Sequence, residues 1–367
     1  MIKIYKNKKL KKEIRVSGYG YENAKKVRAF HQTFEEYSQT PLRKIKFKDG
    51  EKYISALYVK DESYRFGLNA FKVLGGSYAI GSIIENFSEA PVFITATDGN
   101  HGRGVAWTAK KLNCKSVVYM PKGTAKERLD NIRKLGSDAI ITDLCYDDAV
   151  RKAKEDAEKN GWVLVQDTSM PGYEDIPKRI MQGYTTMALE AVEQLEGQRP
   201  THVFLQAGVG SMAGAVTAFL TDYYKENKPT IIIVEPNTAD CVFRTAEADD
   251  GELHAVDGEM NTIMAGLACG EVCSIAWDIL SDYAEYFVTM TDDYAELGMR
   301  FLAEHNIISG ESGAASAGLL MGLLTRPELE NIKNAIGLDE NSVVLCFSTE
   351  GDTDRESYEK IVGNKEK

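Results

Sequence analysis

Between Pro91 and Gln166 the chain alternates between short β-branched runs and helix-like ones, and this narrows the choice of fold more than any other feature. Val92 to Thr97 reads as a strand, Gly102 to Leu112 as a helix, Ser116 to Met120 as a strand and Thr124 to Leu135 as a helix. Thr124 and Glu127 have the form of a capping box, and Gly136 ends that helix. Ala139 to Thr142, Tyr146 to Asn160 and Val163 to Gln166 continue as strand, helix and strand. Four strands separated by three helices imply parallel βαβ units with helices on both faces of a sheet.

A second series follows the long helical run Tyr173 to Glu196. It comprises strand His202 to Gln206, helix Ser211 to Lys225 and strand Thr230 to Glu235. Strand Tyr286 to Thr289 precedes a helix from Asp292 to His305, with Thr291 as its N-cap. Helix Gly313 to Leu324 leads to strand Val343 to Phe347 and a last helix near Arg355 to Ile361. Before Pro91 the pattern is weaker: a short strand, a helix near Asn23 to Tyr37, a break at Thr40-Pro41-Leu42, a strand from Tyr53 to Lys60 and a helix-like run from Val73 to Phe87. The expected fold class is α/β, with two doubly wound open-sheet lobes. A small α/β domain over residues 92–177 is inserted in a large domain built from 1–91 and 178–367.

A chain of 367 residues with 43% hydrophobic and 27% charged residues suits about two globular domains. Its net charge of −11 argues against a broad nucleic-acid footprint. The basic run from Lys3 to Arg15 lacks the apolar core of a secretory signal and reads as a solvated N-terminal arm. The most apolar window, His202 to Leu220, is interrupted by Gly208, Gly210 and Gly214, so it reads as strand, loop and helix, not as a membrane span. Cys269 and Cys273 are four apart, but no second pair completes a zinc site, the histidines form no ligand cluster, and no metal is expected. Reduced thiols in a cytoplasmic protein are the default, with a pairing of Cys241 with Cys269 or Cys273 left open.

Four stretches carry chemistry. Lys72 lies between Phe71 and Val73 at the head of a helix-like run. An apolar setting weakens the charged form of lysine and leaves a nucleophile able to form a Schiff base with an aldehyde. On its own the stretch reads rather as a snorkelling surface lysine, and it is the rest of the chain that turns the reading. Gln206 to Gly214, with Gly208, Val209, Gly210, Ser211 and Met212, follows a strand and opens a helix, which is the form of a phosphate cradle or of a simple packing turn. Thr97-Asp98-Gly99-Asn100-His101-Gly102 sits where a strand gives way to a helix. Asn100 can donate to a phenolic oxygen, while Asp98 alone would serve as a helix cap. Glu311, before another helix, and Ser348-Thr349-Glu350-Gly351-Asp352, after the last strand, complete the set.

Together these are the parts that hold pyridoxal 5'-phosphate: Lys72 for the aldehyde, the glycines for the phosphate, Asn100 for the ring hydroxyl, and Ser348 or Thr349 for the pyridine nitrogen. Their order resembles the fold-type II pyridoxal-phosphate enzymes, the tryptophan-synthase-β-like group, over nearly the whole chain. The most specific pieces are Phe71-Lys72-Val73-Leu74-Gly75, the stretch Thr95 to Trp107, and Gln166-Asp167-Thr168. Relatives that dehydrate serine and threonine carry Ser-Phe-Lys at the lysine and a serine before Gly-Asn. This chain has Ala70 and Asp98 there, and is most similar to the members that eliminate ammonia from 2,3-diaminopropionate.

The resemblance implies α,β-elimination of D- or L-2,3-diaminopropionate to pyruvate and two ammonia, with no nucleic-acid or membrane partner and with a homodimeric assembly. Lys72 takes the α-proton from one face of the ring, Asp98 serves the other, and Asp167 holds the β-ammonium. Asp167 read by itself caps the turn before Pro171. The rival readings are a serine or threonine dehydratase, another β-eliminating lyase, and a binding protein that kept the fold without turnover.

Overall fold

The computed structural model describes residues 2–47, 53–97 and 99–363. Eleven strands among these form two sheets: β1 (Lys3–Lys6), β2 (Leu42–Ile45), β3 (Ala56–Asp61), β4 (Val92–Ala96), β5 (Lys115–Met120), β6 (Asp138–Ile141), β7 (Val163–Leu164), β8 (His202–Gln206), β9 (Thr230–Pro236), β10 (Tyr286–Met290) and β11 (Val343–Ser348). The larger sheet has the order β1-β10-β9-β8-β11-β3-β2 and the smaller one β6-β5-β4-β7. All pairings are parallel except those of the two edge strands of the larger sheet, β1 on β10 and β2 on β3.

The strand sequences show why. Every residue of β3, β8, β10 and β11 is buried, as in a parallel sheet covered on both faces. Side chains alternate between the faces: Ile231 and Ile233 of β9 join one core, Ile232 and Val234 the other. Both sheets contain a point where the chain changes direction. From β8 it proceeds to β9 and β10 on one side, with β11 and β3 on the other; from β4 it proceeds to β5 and β6, with β7 on the far side. In open α/β sheets, ligand crevices form beyond the carboxyl ends of strands at such points.

Several local expectations are corrected. The N-terminal arm is not wholly solvated, because Lys3 to Lys6 pair with Tyr286 to Thr289. The helix expected over Thr124 to Leu135 runs only over Lys126–Arg133, and the Thr124 hydroxyl donates to the Pro121 carbonyl at 2.8 Å. Thr124 thus closes a turn and Ala125 takes the cap position, so the capping box does not form. Thr291 does occupy an N-cap, with its hydroxyl turned to Asp293. The helix after Lys72 ends at Gly81 and is followed by a short 3-10 turn over Ile84–Asn86. The edge strand β2 and the helices Cys241–Ala248, Ser274–Tyr283 and Glu330–Ile336 were not anticipated.

Beneath the segment leading to Lys72 lies a fully buried group of four charged side chains. Glu190 Oε2 accepts from Lys60 Nζ and from Arg65 Nη2, both at 2.7 Å, and Arg65 Nε donates to Glu62 Oε2 at 2.8 Å. The hydroxyls of Thr40 (2.6 Å to Glu62) and Tyr37 (2.8 Å to Glu190) fill remaining acceptor positions. Burial alone would strip these charges, but the two carboxylates keep Arg65 firmly cationic. The cluster pins the chain from Lys60 to Arg65, just ahead of left-handed backbone at Phe66 and Asn69 (φ 51° and 59°).

Candidate active site

The helix carrying Lys72 at its N-cap, Val73–Gly81, has almost no side-chain bulk where it meets its neighbours. A Cβ on Gly75 would lie 2.6 Å from the Tyr184 ring, and one on Gly104 would lie 2.8 Å from the Val73 Cα. Glycine at these crossings lets the helices Asp175–Gln194 and Asn100–Lys111 close on the lysine helix from both sides. Lys72 is thereby held in the wall of a cleft of about 740 Å³ between the two sheets.

The sequence stretches meet at this cleft: Lys72 and Glu311 each at the head of a helix, the others just beyond the carboxyl end of a strand flanking a direction change. Asn100 follows β4 and Asp167 follows β7; the glycine loop follows β8 and Thr349 follows β11. Lys72, Asn100, Asp167, Gly208, Val209, Gly210, Ser211, Met212, Glu311 and Thr349 all line the cleft. Ser348 is absent from that lining: it is buried behind the wall and its hydroxyl donates to Ser309 Oγ at 2.8 Å. Asp98 lies outside the described residues.

Lys72 Nζ forms an ion pair with Asp167 Oδ2, and Asp167 Oδ1 accepts from the Tyr146 hydroxyl at 3.2 Å. Burial opposes charge on Asp167, but the Lys72 ammonium outweighs it and holds the carboxyl well below the usual carboxylate range. Ser211, at the head of the helix Ser211–Tyr224, donates to the Asp167 carbonyl at 2.7 Å, which ties the glycine loop to the small sheet. Gly210 has φ +94°, a left-handed conformation that turns the backbone into that helix. A Cβ on Gly208 would come within 3.1 Å of Cys269 Sγ and 3.2 Å of the Gly266 carbonyl. A side chain there would crowd the loop; glycine leaves a backbone-lined hollow over a helix N-terminus, suited to a phosphate. Beside the loop, the Thr349 hydroxyl accepts from Gln206 Nε2 at 3.0 Å, and the Glu311 carboxyl is pushed up by burial and by the neighbouring Glu350 charge.

Three contributions escaped the sequence reading. Tyr146 reaches Asp167 from just beyond β6, and its place after a strand is the signal that could have found it. Glu350, which accepts from Asn100 Nδ2, lies in a stretch singled out for its hydroxyls. The run from Gly258 to Cys269 walls one side of the cleft and has no periodicity to announce it.

The hollow, the lysine and the threonine fit pyridoxal phosphate, and comparison with known proteins agrees. Residues 33–338 match the family model described as pyridoxal-phosphate dependent enzyme. The diaminopropionate ammonia-lyase of Salmonella typhimurium is 48% identical over 92% of this chain and 91% of its own length. The chain belongs to the diaminopropionate ammonia-lyases, within the fold-type II pyridoxal-phosphate dependent enzymes. The Escherichia coli (strain K12) diaminopropionate ammonia-lyase is 46% identical over 94% of this chain and 92% of its own. A crystal structure of the Escherichia coli diaminopropionate ammonia lyase, in complex with an aminoacrylate-PLP azomethine reaction intermediate, superposes with a TM-score of 0.93 at 44% identity, covering 99% of this chain and 97% of that one. Six free thiols are present, so the pairing left open for Cys241 is not made. Among the described residues no helix is long and apolar enough to cross a membrane, and no group of side chains could hold a metal ion.

Proposed function

We infer that this chain converts 2,3-diaminopropionate to pyruvate and two ammonia using pyridoxal phosphate. The observation that carries the reading is the Lys72–Asp167 pair above a glycine-lined anion hollow. Pyridoxal phosphate, when bound, supplies the aldehyde that Lys72 engages and the ring that spreads negative charge from the substrate α-carbon. Gly208 to Met212 would hold its phosphate, Asn100 its ring oxygen and Thr349 its pyridine nitrogen. Thr349 is favoured over Ser348 because its side chain reaches the cleft. A hydroxyl at that nitrogen leaves it unprotonated, which suits elimination more than transamination.

The chain's own groups then divide the proton work. Lys72, once its amine is free, takes the α-proton from its side of the cleft. Asp98, one residue from Gly99 and two from Asn100, is proposed for the opposite side, so that both stereoisomers can react. An amine leaves poorly unless it carries a proton. Asp167, which already holds one ammonium at Lys72, is proposed to hold the substrate's β-ammonium. Around this site, the small domain over residues 92–177, a homodimeric assembly and a cytoplasmic setting complete the proposal.

The test is stoichiometric. Pyruvate and ammonia are measured from D- and L-diaminopropionate beside D- and L-serine. Two ammonia per pyruvate from diaminopropionate, at a higher kcat/KM than from serine, supports the reading. A preference for serine turns it into a dehydratase. Absence of turnover, together with no covalent trapping of cofactor by borohydride, leaves only a binding protein.

A further inference from the structure

Glu350 is 2% exposed, yet three donors from different parts of the chain converge on its carboxylate. Oε2 accepts from Asn100 Nδ2 and, at 3.1 Å, from the Thr353 hydroxyl; Oε1 accepts from the Ser312 backbone N–H at 3.2 Å. Ser312 lies in the first turn of the helix Glu311–Thr325, where a carboxylate also meets the positive end of the helix dipole. The Glu350 backbone pairs with Ala70, two residues before Lys72, and its carbonyl accepts from Gly310 N at 3.1 Å. Asn100 belongs to the strand-to-helix turn of the small sheet, so the Asn100–Glu350 bond spans the cleft.

A carboxylate only accepts, so the nitrogen of the Asn100 amide must be the atom facing it. That choice fixes what the amide offers elsewhere, namely its second N–H and its carbonyl oxygen. We infer that Glu350 is the positioning residue that sets the orientation of the Asn100 amide in the cleft and links the small sheet to the large one. The inference rests on the reading above that Asn100 donates to the cofactor's ring oxygen, and explains why it presents a donor there.

Glu350→Gln separates orientation from packing, because the side chains have the same shape. The glutamine has one acceptor oxygen, and Ser312 N, being backbone, cannot turn away from it. The new amide nitrogen then opposes Asn100 Nδ2, and the Asn100 amide must flip. In the holoenzyme, cofactor dissociation and the pH midpoint of the cofactor's visible absorbance are measured for Asn100→Ala, Glu350→Gln and the double variant. Each single variant is expected to weaken cofactor retention about tenfold and to shift the midpoint, and the double variant to be no worse than the weaker single one. Glu350→Asp, which keeps the acceptor character, is expected to return the midpoint towards wild type even where retention stays weak. Additive losses, or an unshifted midpoint in Glu350→Gln, overturn the inference while leaving Asn100 at the ring oxygen. An Asn100→Ala protein that matches wild type in both readouts overturns the assignment of Asn100 and the inference with it.

Discussion

Lys72, at the head of the helix Val73–Gly81, and Asp167, just beyond β7, meet as an ion pair in the wall of the cleft. An acid placed to hold an amine there is proposed to give the reaction its selectivity. Asp167→Asn is expected to lower kcat/KM for diaminopropionate by about 10- to 100-fold, the worth of a charge-assisted hydrogen bond, and to lower that for serine much less. Equal losses on the two substrates would remove the ammonium-holding role.

Asp98→Asn tests the second base. Turnover of D-diaminopropionate should fall by about 10²-fold or more, while that of the L isomer changes little. Steady-state kinetics on the separate isomers decides it, and a uniform loss would show that one base serves both.

Lys72→Ala should abolish borohydride trapping of the cofactor and lower kcat by about 10²-fold or more, since both the proposed covalent link and the proposed first base would be lost. Peptide mapping of the reduced wild-type enzyme should place the cofactor at Lys72. Label on any other lysine would displace the whole site.

Gly183→Ala probes the packing that aims the lysine helix. A Cβ there would lie 2.3 Å from the Leu74 carbonyl oxygen, and that contact is backbone, so neither side can yield by changing rotamer. Overpacking of this kind costs about 1–3 kcal/mol. Urea unfolding should show a lower midpoint; an unchanged one would mean the helices separate without penalty.

His31 gives the stability an acid limb. It is fully buried, its Nε2–H donates to the Leu74 carbonyl at 2.9 Å, and Nδ1 accepts from the Thr186 hydroxyl at 2.8 Å. Burial pushes its pKa from 6.5 down to about 3. The unfolded chain therefore binds one more proton than the folded protein within that window, and stability falls as pH drops through 6.5. By pH 5 this one residue removes about 2 kcal/mol. Urea midpoints at pH 7 and pH 5 should differ less in His31→Gln than in the parent. Identical acid losses would assign the limb to other groups.

Much of this was legible from residue pattern because the site is built at strand ends. The βα alternation after Pro91 foretold the small parallel sheet, and the Asn100 turn, the glycine loop and Thr349 each stand just beyond a strand. What stayed illegible has local causes. Ser348 and Thr349 are neighbours on an extended chain, so they point to opposite sides, and only the fold shows that Thr349 takes the cleft side. Thr124 had the residue type and spacing of a cap, but the Pro121 carbonyl competed for its hydroxyl. The wall from Gly258 to Cys269 has neither period nor glycine signature, and its position comes from the elements on either side of it.

The charged group under the Lys72 segment also shapes how the sequence can drift. Two cations, Lys60 and Arg65, offset two anions, Glu62 and Glu190, with no water-facing side chain among them. Replacing any one leaves a lone charge in an apolar setting, whereas removing one of each sign keeps the sum at zero. Descendants of this chain are therefore expected to keep all four or to lose them in opposite pairs, and the route between those two states passes through a poorly folding intermediate.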